Sequence, residues 1–84
     1  MVREIAARHG ALHLRLFGSI ARGEDRPDSD LDLLVDLEPG RSLLDLIAIK
    51  QDLEDLLHRP VDVVTEASLS PYMREAVLKE ALTL

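Results

Sequence analysis

Three aspartates and one glycine–serine pair have residue types and spacing suited to phosphate and metal chemistry. Asp30 and Asp32 stand two positions apart, and Asp62 follows them later in the chain. Carboxylates are hard oxygen ligands of the kind that Mg²⁺ takes, together with waters and substrate phosphates. Exposed backbone N–H groups at Gly18-Ser19 suit phosphate oxygens. If these groups meet, they form a nucleotide site for metal-assisted phosphoryl or nucleotidyl transfer.

Apolar periodicity predicts the elements that must position these residues. Residues 11–17 and 30–37 alternate like half-buried strands, with Leu12, Leu14 and Leu16 on one face of the first. Residues 60–65 form a predicted short strand with proline at its tolerated starting position. Helices are predicted for residues 2–9, 42–58 and 70–82, with at most a helical turn over 20–23 and a polar loop over 24–29. The order αβ(α)βαβα indicates an α/β (α+β) fold in which helices pack on a small mixed β-sheet.

This order brings the candidate residues to one edge of the sheet. Asp30 and Asp32 are predicted to project from the same strand face, about 6.5–7 Å apart along the chain. The helix over residues 42–58 connects this strand to the next by a right-handed parallel crossover, so both strands begin at the same edge. Asp62 is therefore expected beside Asp30 and Asp32. The strand over residues 11–17 runs antiparallel to them, and its end carries Gly18-Ser19 to that edge.

The residues around these positions resemble the signature of the DNA-polymerase-β-like nucleotidyltransferase superfamily. That signature is a Gly-Ser pair followed by Asp-x-Asp at a set spacing, which the ten residues 20–29 match here. The words Gly-Ser-Ile-Ala-Arg-Gly at 18–23 and Ser-Asp-Leu-Asp-Leu-Leu-Val at 29–35 are most similar to the minimal nucleotidyltransferase (MNT) subfamily. Val-Asp-Val-Val at 61–64 resembles the family's third acidic segment, so the resemblance extends over the whole chain.

The resemblance implies a role for each matching residue. Gly18 and Ser19 would hold the triphosphate of ATP, Ser19 through its hydroxyl and backbone. Asp30 and Asp32 would ligate one or two Mg²⁺ ions. Asp62 would complete the metal site and help to activate the acceptor hydroxyl, consistent with an in-line displacement at the α-phosphate.

The resemblance also implies a further nucleotide contact and a partner. Arg22, in the same motif, would support the phosphates or the partner surface. MNT proteins commonly neutralise a HEPN-type ribonuclease toxin, and some of them transfer AMP from ATP to a tyrosine of that toxin. The expected function is thus that of a Mg²⁺-dependent nucleotidyltransferase antitoxin. A non-catalytic antitoxin that inhibits its toxin by binding and occlusion is the alternative.

The composition argues against several other classes. Ten Lys and Arg against sixteen Asp and Glu give a net charge of −6. This charge disfavours non-specific nucleic-acid binding, because affinity for the phosphate backbone is carried mainly by basic side chains. The sequence has no cysteine, no apolar run of spanning length and no secretory signal pattern. These features predict a cytoplasmic protein without a disulfide framework or a membrane span.

The 84 residues predict one minimal nucleotidyltransferase domain, 1–84, without room for a second, acceptor-binding domain. A protein acceptor that brings its own surface therefore fits better than a small molecule, and the acidic charge argues against an RNA end. The C-terminal segment is more apolar than one small sheet face needs, which predicts a homo- or hetero-oligomeric interface. Its apolar residues are Tyr72, Met73, Val77, Leu78, Leu82 and Leu84.

Structural roles explain each feature when it is taken alone. A Gly-Ser pair after a strand is ordinarily a turn, and Asp30 and Asp32 alone would solvate an exposed strand face. Asp36 lies further along the same predicted face and is expected to be solvated. The joint occurrence of the motif residues at matching spacing is what favours the functional interpretation.

Overall fold

The computed structural model describes residues 1–24 and 30–84. The predicted loop beyond Glu24, including Ser29 of the signature, lies outside the described residues. Within residues 1–24 and 30–84, four helices and four strands follow one another, with a 3-10 turn at Glu66–Ser68 before the last helix. They are α1 (Val2–Arg8), β1 (Ala11–Phe17), α2 (Gly18–Ala21), β2 (Leu31–Leu37), α3 (Leu43–Leu57), β3 (Val61–Val64), α4 (Pro71–Glu80) and β4 (Leu82–Thr83).

The strands form one mixed sheet in the order β3-β2-β1-β4. β1 is antiparallel to β2 and to β4, whereas β2 and β3 are parallel. The α3 crossover therefore places the beginnings of β2 and β3 together, as the sequence predicts. The α+β fold class and the order αβ(α)βαβα are confirmed, with β4 and the 3-10 turn as additions.

Helices cover both faces of the sheet, and β2 supplies core residues to each face. Leu33 and Val35 pack with Ile49 and Leu53 of α3 in one buried cluster. Leu34 points to the opposite face, in a second cluster whose other buried members are Phe17, Leu69 and Val77. Because β2 lies between β1 and β3 and is covered on both faces, three successive residues are buried and the simple alternation is lost at its centre.

Hydrogen bonds at the helix termini explain where α3 and α4 begin. The Ser42 hydroxyl accepts a hydrogen bond from Leu44 N at 3.2 Å, and the Asp45 carboxylate accepts one from Ser42 N at 2.9 Å. This reciprocal pair is a capping box, and it fixes the start of α3 after the loop that follows β2. At the start of α4, the Ser70 hydroxyl accepts a hydrogen bond from Met73 N at 3.3 Å, and Pro71 lies in the first turn.

Several element boundaries and one strand face differ from the sequence prediction. β2 begins at Leu31, so Asp30 directly precedes the strand. α3 is one residue shorter at each end than predicted, with Ser42 and His58 as its caps. α4 ends at Glu80 because Ala81 is extended and the chain turns into β4. Leu12 is 57% exposed, since a register irregularity between Ala11 and His13 takes it off the face of Leu14.

Candidate active site

The three predicted aspartates lie at the edge of the sheet where β2 and β3 begin. Asp32 and Asp62 are register partners across the parallel pair, and a hydrogen bond of 2.9 Å from Leu31 N to Pro60 O joins the two strands one step earlier. Side chains two apart on a strand share a face, so Asp32 lies on the face of Leu34, which α4 covers. Asp30 and Asp62 are exposed, and Asp32 is partly buried.

Asp32 is partly buried and lies near other negative charges. The pKa of Asp32 is raised by partial burial, and next by the negative charges of Asp62, Asp30 and Glu80, while Arg22 opposes the rise. A divalent cation would reverse this repulsion, and hard carboxylate oxygens are the ligands that Mg²⁺ takes. The chemistry of the donor set therefore fits the metal.

The geometry leaves room for ligands from outside the chain. Within residues 1–24 and 30–84, no group of three or more His, Cys, Asp or Glu side chains is arranged so that it could hold a metal by itself. Magnesium commonly binds through one or two carboxylates, with substrate phosphates and waters as the remaining ligands. That all three aspartates ligate one ion thus stays a prediction, and substrate phosphates are expected to complete the site.

In the metal-free protein, Asp32→Asn should increase stability at pH 7, by no more than about 1 kcal/mol because solvent screens the partly exposed carboxylate. Because the pKa of Asp32 is raised in the folded state, folding disfavours its charged form. As pH rises from the pKa of Asp32 in the unfolded chain to its higher pKa in the folded protein, the free energy of unfolding decreases. The decrease is complete above the folded-state pKa, so it persists at pH 7. Thermal unfolding of the wild type and of Asp32→Asn in EDTA tests this prediction. The difference in stability should vanish near pH 3, where Asp32 is neutral in both the folded and the unfolded state. An equal gain at both pH values would contradict the electrostatic cause.

Gly18 lies against Asp32 so closely that a side chain does not fit between them. Its φ is +79°, a left-handed conformation that favours glycine. A Cβ atom at this position would overlap the Asp32 carboxylate and lie 3.0 Å from its Cγ atom. Phe17 is the register partner of Asp32 across β1 and β2, which explains why Gly18 reaches this point. The glycine of the motif thus permits close approach of the backbone to the acidic edge.

The remaining two motif residues lie in or just after α2. Ser19 is part of that short helix, next to Gly18, and its side chain lies outside what the structure describes. Arg22 ends α2 and reaches two acidic side chains. Its Nε donates to Glu24 Oε2 at 3.0 Å, and its Nη1 lies 3.3 Å from Glu80 Oε1 and 3.4 Å from Glu80 Oε2. The structure therefore brings Arg22 to the site edge, and its support of the phosphates or of a partner surface stays a prediction.

Glu80, at the C-terminal end of α4, is the site residue that the sequence analysis missed. Its Oε1 accepts a hydrogen bond from Gly18 N at 3.0 Å, across 62 positions of sequence. The order of the elements could have predicted this contact. Because β3 begins at the site edge, α4 begins at the opposite edge and runs back, so its last residues arrive beside the motif.

Two side chains of α3 hold the backbone next to Asp62. Lys50 Nζ donates to Val61 O at 2.9 Å, and Glu54 Oε2 accepts from Val61 N at 3.0 Å. Lys50 and Glu54 also pair with each other at 2.8 Å, and this pairing and the Val61 N–H lower the pKa of Glu54. Since β3 is an edge strand, these contacts replace the missing neighbour strand at Val61 and fix the start of β3 beside β2.

The whole chain, residues 1–84, matches the family model of the nucleotidyltransferase domain. It belongs to that family. This nucleotidyltransferase is 41% identical over 80 residues to protein adenylyltransferase MntA of Thermococcus cleftensis, covering 95% of this chain and 81% of that protein. It is 42% identical over 78 residues to a Methanocaldococcus jannaschii protein provisionally named a protein adenylyltransferase, covering 93% of this chain and 84% of that protein. The resemblance noted in the sequence is confirmed.

Solved structures share the fold of this nucleotidyltransferase. One, provisionally described as a minimal nucleotidyltransferase, is 57% identical, covers 99% of this chain and 85% of its own, and superposes with a TM-score of 0.89. A toxin–antitoxin structure with AMP-PNP superposes with a TM-score of 0.83 over 98% of this chain and 68% of its own. At 21% identity, the second likeness shows the fold alone. In the described part of the chain, no helix is both long and apolar enough to span a membrane.

Proposed function

We propose that this nucleotidyltransferase is an antitoxin that transfers AMP from ATP to a hydroxyl, most simply a tyrosine, of a HEPN-type ribonuclease toxin. The observation that carries the proposal is the register of Asp32 beside Asp62, with Gly18 against Asp32, in a chain of the nucleotidyltransferase family. The reaction needs Mg²⁺ and takes place in the cytoplasm, where ATP and ribonuclease substrates are found together. Transfer of AMP to the toxin neutralises it.

The site residues have separate roles in this reaction. Gly18 N–H, Ser19 and Arg22 bind and orient the triphosphate. Asp30, Asp32 and Asp62 would hold Mg²⁺, which when bound supplies Lewis-acid stabilisation of the charge that develops on the phosphate oxygens. The acceptor oxygen forms a bond to the α-phosphorus, the bond to the bridging oxygen breaks, and pyrophosphate leaves. Asp62 is exposed at the strand edge, where it can accept the proton of the incoming hydroxyl.

A protein acceptor is supported by the surface near the site as well as by the names of the relatives. Both relatives described above are named protein adenylyltransferases, and the AMP-PNP structure is of a toxin–antitoxin. The C-terminal segment, whose Glu80 touches the site, exposes large apolar side chains that can pack against a partner. They are Tyr72 at 92% exposure, Met73 at 53%, Leu78 at 39%, Leu82 at 52% and Leu84 at 40%.

Intact-mass spectrometry of a cognate HEPN toxin tests the proposal. The toxin is incubated with this protein, ATP and Mg²⁺, and its mass is compared with that after incubation without ATP or with EDTA. We expect the mass to increase by one or more AMP units, with release of pyrophosphate, and peptide mapping should place the addition on a tyrosine. An unchanged toxin mass would overturn the catalytic proposal.

Inhibition by occlusion is the second candidate, and the exposed apolar residues of α4 favour it. If occlusion suffices, a variant with Asp30 and Asp32 changed to alanine should still neutralise the toxin, whereas Leu78→Arg should not. If AMP transfer is required, the double aspartate variant should fail while still binding the toxin. Toxin-dependent growth arrest and co-purification of the pair distinguish these outcomes.

A further inference from the structure

Glu80 binds two of the three groups that the proposed function assigns to the phosphates, the Gly18 amide and Arg22. Its carboxylate accepts a hydrogen bond from Gly18 N at 3.0 Å, and Arg22 Nη1 lies within 3.4 Å of both of its oxygens. Carboxylates and phosphates are both oxyanions that accept charge-assisted hydrogen bonds from backbone N–H groups and guanidinium groups. The Glu80 carboxylate therefore lies where a phosphate oxygen would have to bind.

Other negative charges lie near the Glu80 carboxylate. Asp32 and Asp62 lie at the same edge, and Glu24 also pairs with Arg22, at 3.0 Å. Repulsion between Glu80 and Asp32 is one cause of the raised pKa of Asp32. Like charges brought together in a partly buried site repel each other. A ligand that also brings a divalent cation to the aspartates is expected to compete well against Glu80.

Release of Glu80 does not require α4 to leave the sheet. Val77, one turn earlier on the same helix, is 5% exposed and packs in the cluster of Phe17 and Leu34. Immediately after α4, Leu82 pairs with Leu16 in the β4–β1 ladder. The Glu80 side chain itself is already 30% exposed. It can therefore rotate into solvent while the helix stays docked.

We infer that Glu80 is an internal competitor of the nucleotide: the triphosphate replaces its carboxylate on the Gly18 amide and on Arg22. The inference rests on the proposed function, because it takes these two groups as phosphate donors. In the nucleotide-free protein Glu80 satisfies both donors and so stabilises the empty site. The strength of its contacts then sets how tightly Mg²⁺ and ATP bind. Glu80 is thus an affinity-determining residue outside the family motif.

Calorimetric titration with AMP-PNP in the presence of Mg²⁺ tests the inference on the wild type and on two variants. Glu80→Gln keeps the size of the side chain and removes its charge. Glu75→Gln is the matched control, since Glu75 is on the same helix, is 76% exposed and pairs with Lys79 away from the motif. We expect Glu80→Gln to bind the analogue about three- to ten-fold more tightly than the wild type. Glu75→Gln should stay within about two-fold, because exposed charges at a distance are screened.

The outcomes separate the inference from the proposed function. Equal or weaker binding by Glu80→Gln, with normal binding by the wild type, would overturn the inference and leave the proposed function standing. Binding by none of the three proteins would overturn the proposed function and the inference with it. A second measurement follows the Gly18 amide by NMR without nucleotide. Its signal should move in Glu80→Gln and stay in place in Glu75→Gln, and an unmoved signal in both would also overturn the inference.

Discussion

Replacing Asp32 with asparagine should lower the rate of AMP transfer by about 10³-fold or more. The amide keeps the shape of the side chain and removes the charge that would bind a divalent cation. Asp32 is the carboxylate closest to the centre of the group, as register partner of Asp62 and neighbour of Gly18. Pyrophosphate release and the mass of the toxin measure the rate.

The same substitution is expected to increase stability in EDTA, so the test distinguishes loss of catalysis from loss of folding. A loss of activity in a protein that unfolds at a higher temperature cannot be attributed to misfolding. Asp36→Asn is the matched control, since Asp36 is exposed, lies on the same strand and is the register partner of His13, away from the edge. It should retain the wild-type rate. Retained activity in Asp32→Asn, or an equal loss in Asp36→Asn, would contradict the proposed role.

Local patterns predicted most of the elements because the physical causes are themselves local. Ser42 and Asp45 start α3 through hydrogen bonds within three residues, and Pro71 marks the first turn of α4. The crossover geometry then placed Asp62 beside Asp32 without any knowledge of side-chain contacts. The site could be predicted to this extent because its backbone positions follow from strand order and handedness.

The parts that were missed depend on contacts between distant residues. The spacing of Leu78 and Leu82 continues a helical pattern, so the sequence favours a helix to residue 82. The chain instead turns at Ala81, because Leu82 and Thr83 pair with Leu16 and Arg15 of β1. Local propensity yields here to sheet pairing. Glu80 was missed for a related reason, since its contact with Gly18 joins residues that lie 62 positions apart in the sequence.

Gly18→Ala should destabilise the fold by about 2–5 kcal/mol. A left-handed φ costs an alanine about 1–2 kcal/mol, and Gly18 has a φ of +79°. Overlap of the new Cβ with the Asp32 carboxylate adds a packing cost of about 1–3 kcal/mol. Because the overlap pushes on a predicted metal ligand, transfer should also slow by about 10²-fold under conditions where the variant is folded. Urea unfolding and AMP transfer measure the two effects.

Gly40→Ala separates backbone strain from the overlap at the site. Gly40 has a φ of +90° and lies in the turn between β2 and α3, where a Cβ would meet no described atom within 4 Å apart from its own chain neighbours. It should lose about 1–2 kcal/mol of stability from strain alone and keep the wild-type rate of transfer. The difference between the two variants then measures the contact between Gly18 and Asp32. Equal losses of stability with equal rates would show that this contact contributes nothing, and the glycine of the motif would be a turn residue only.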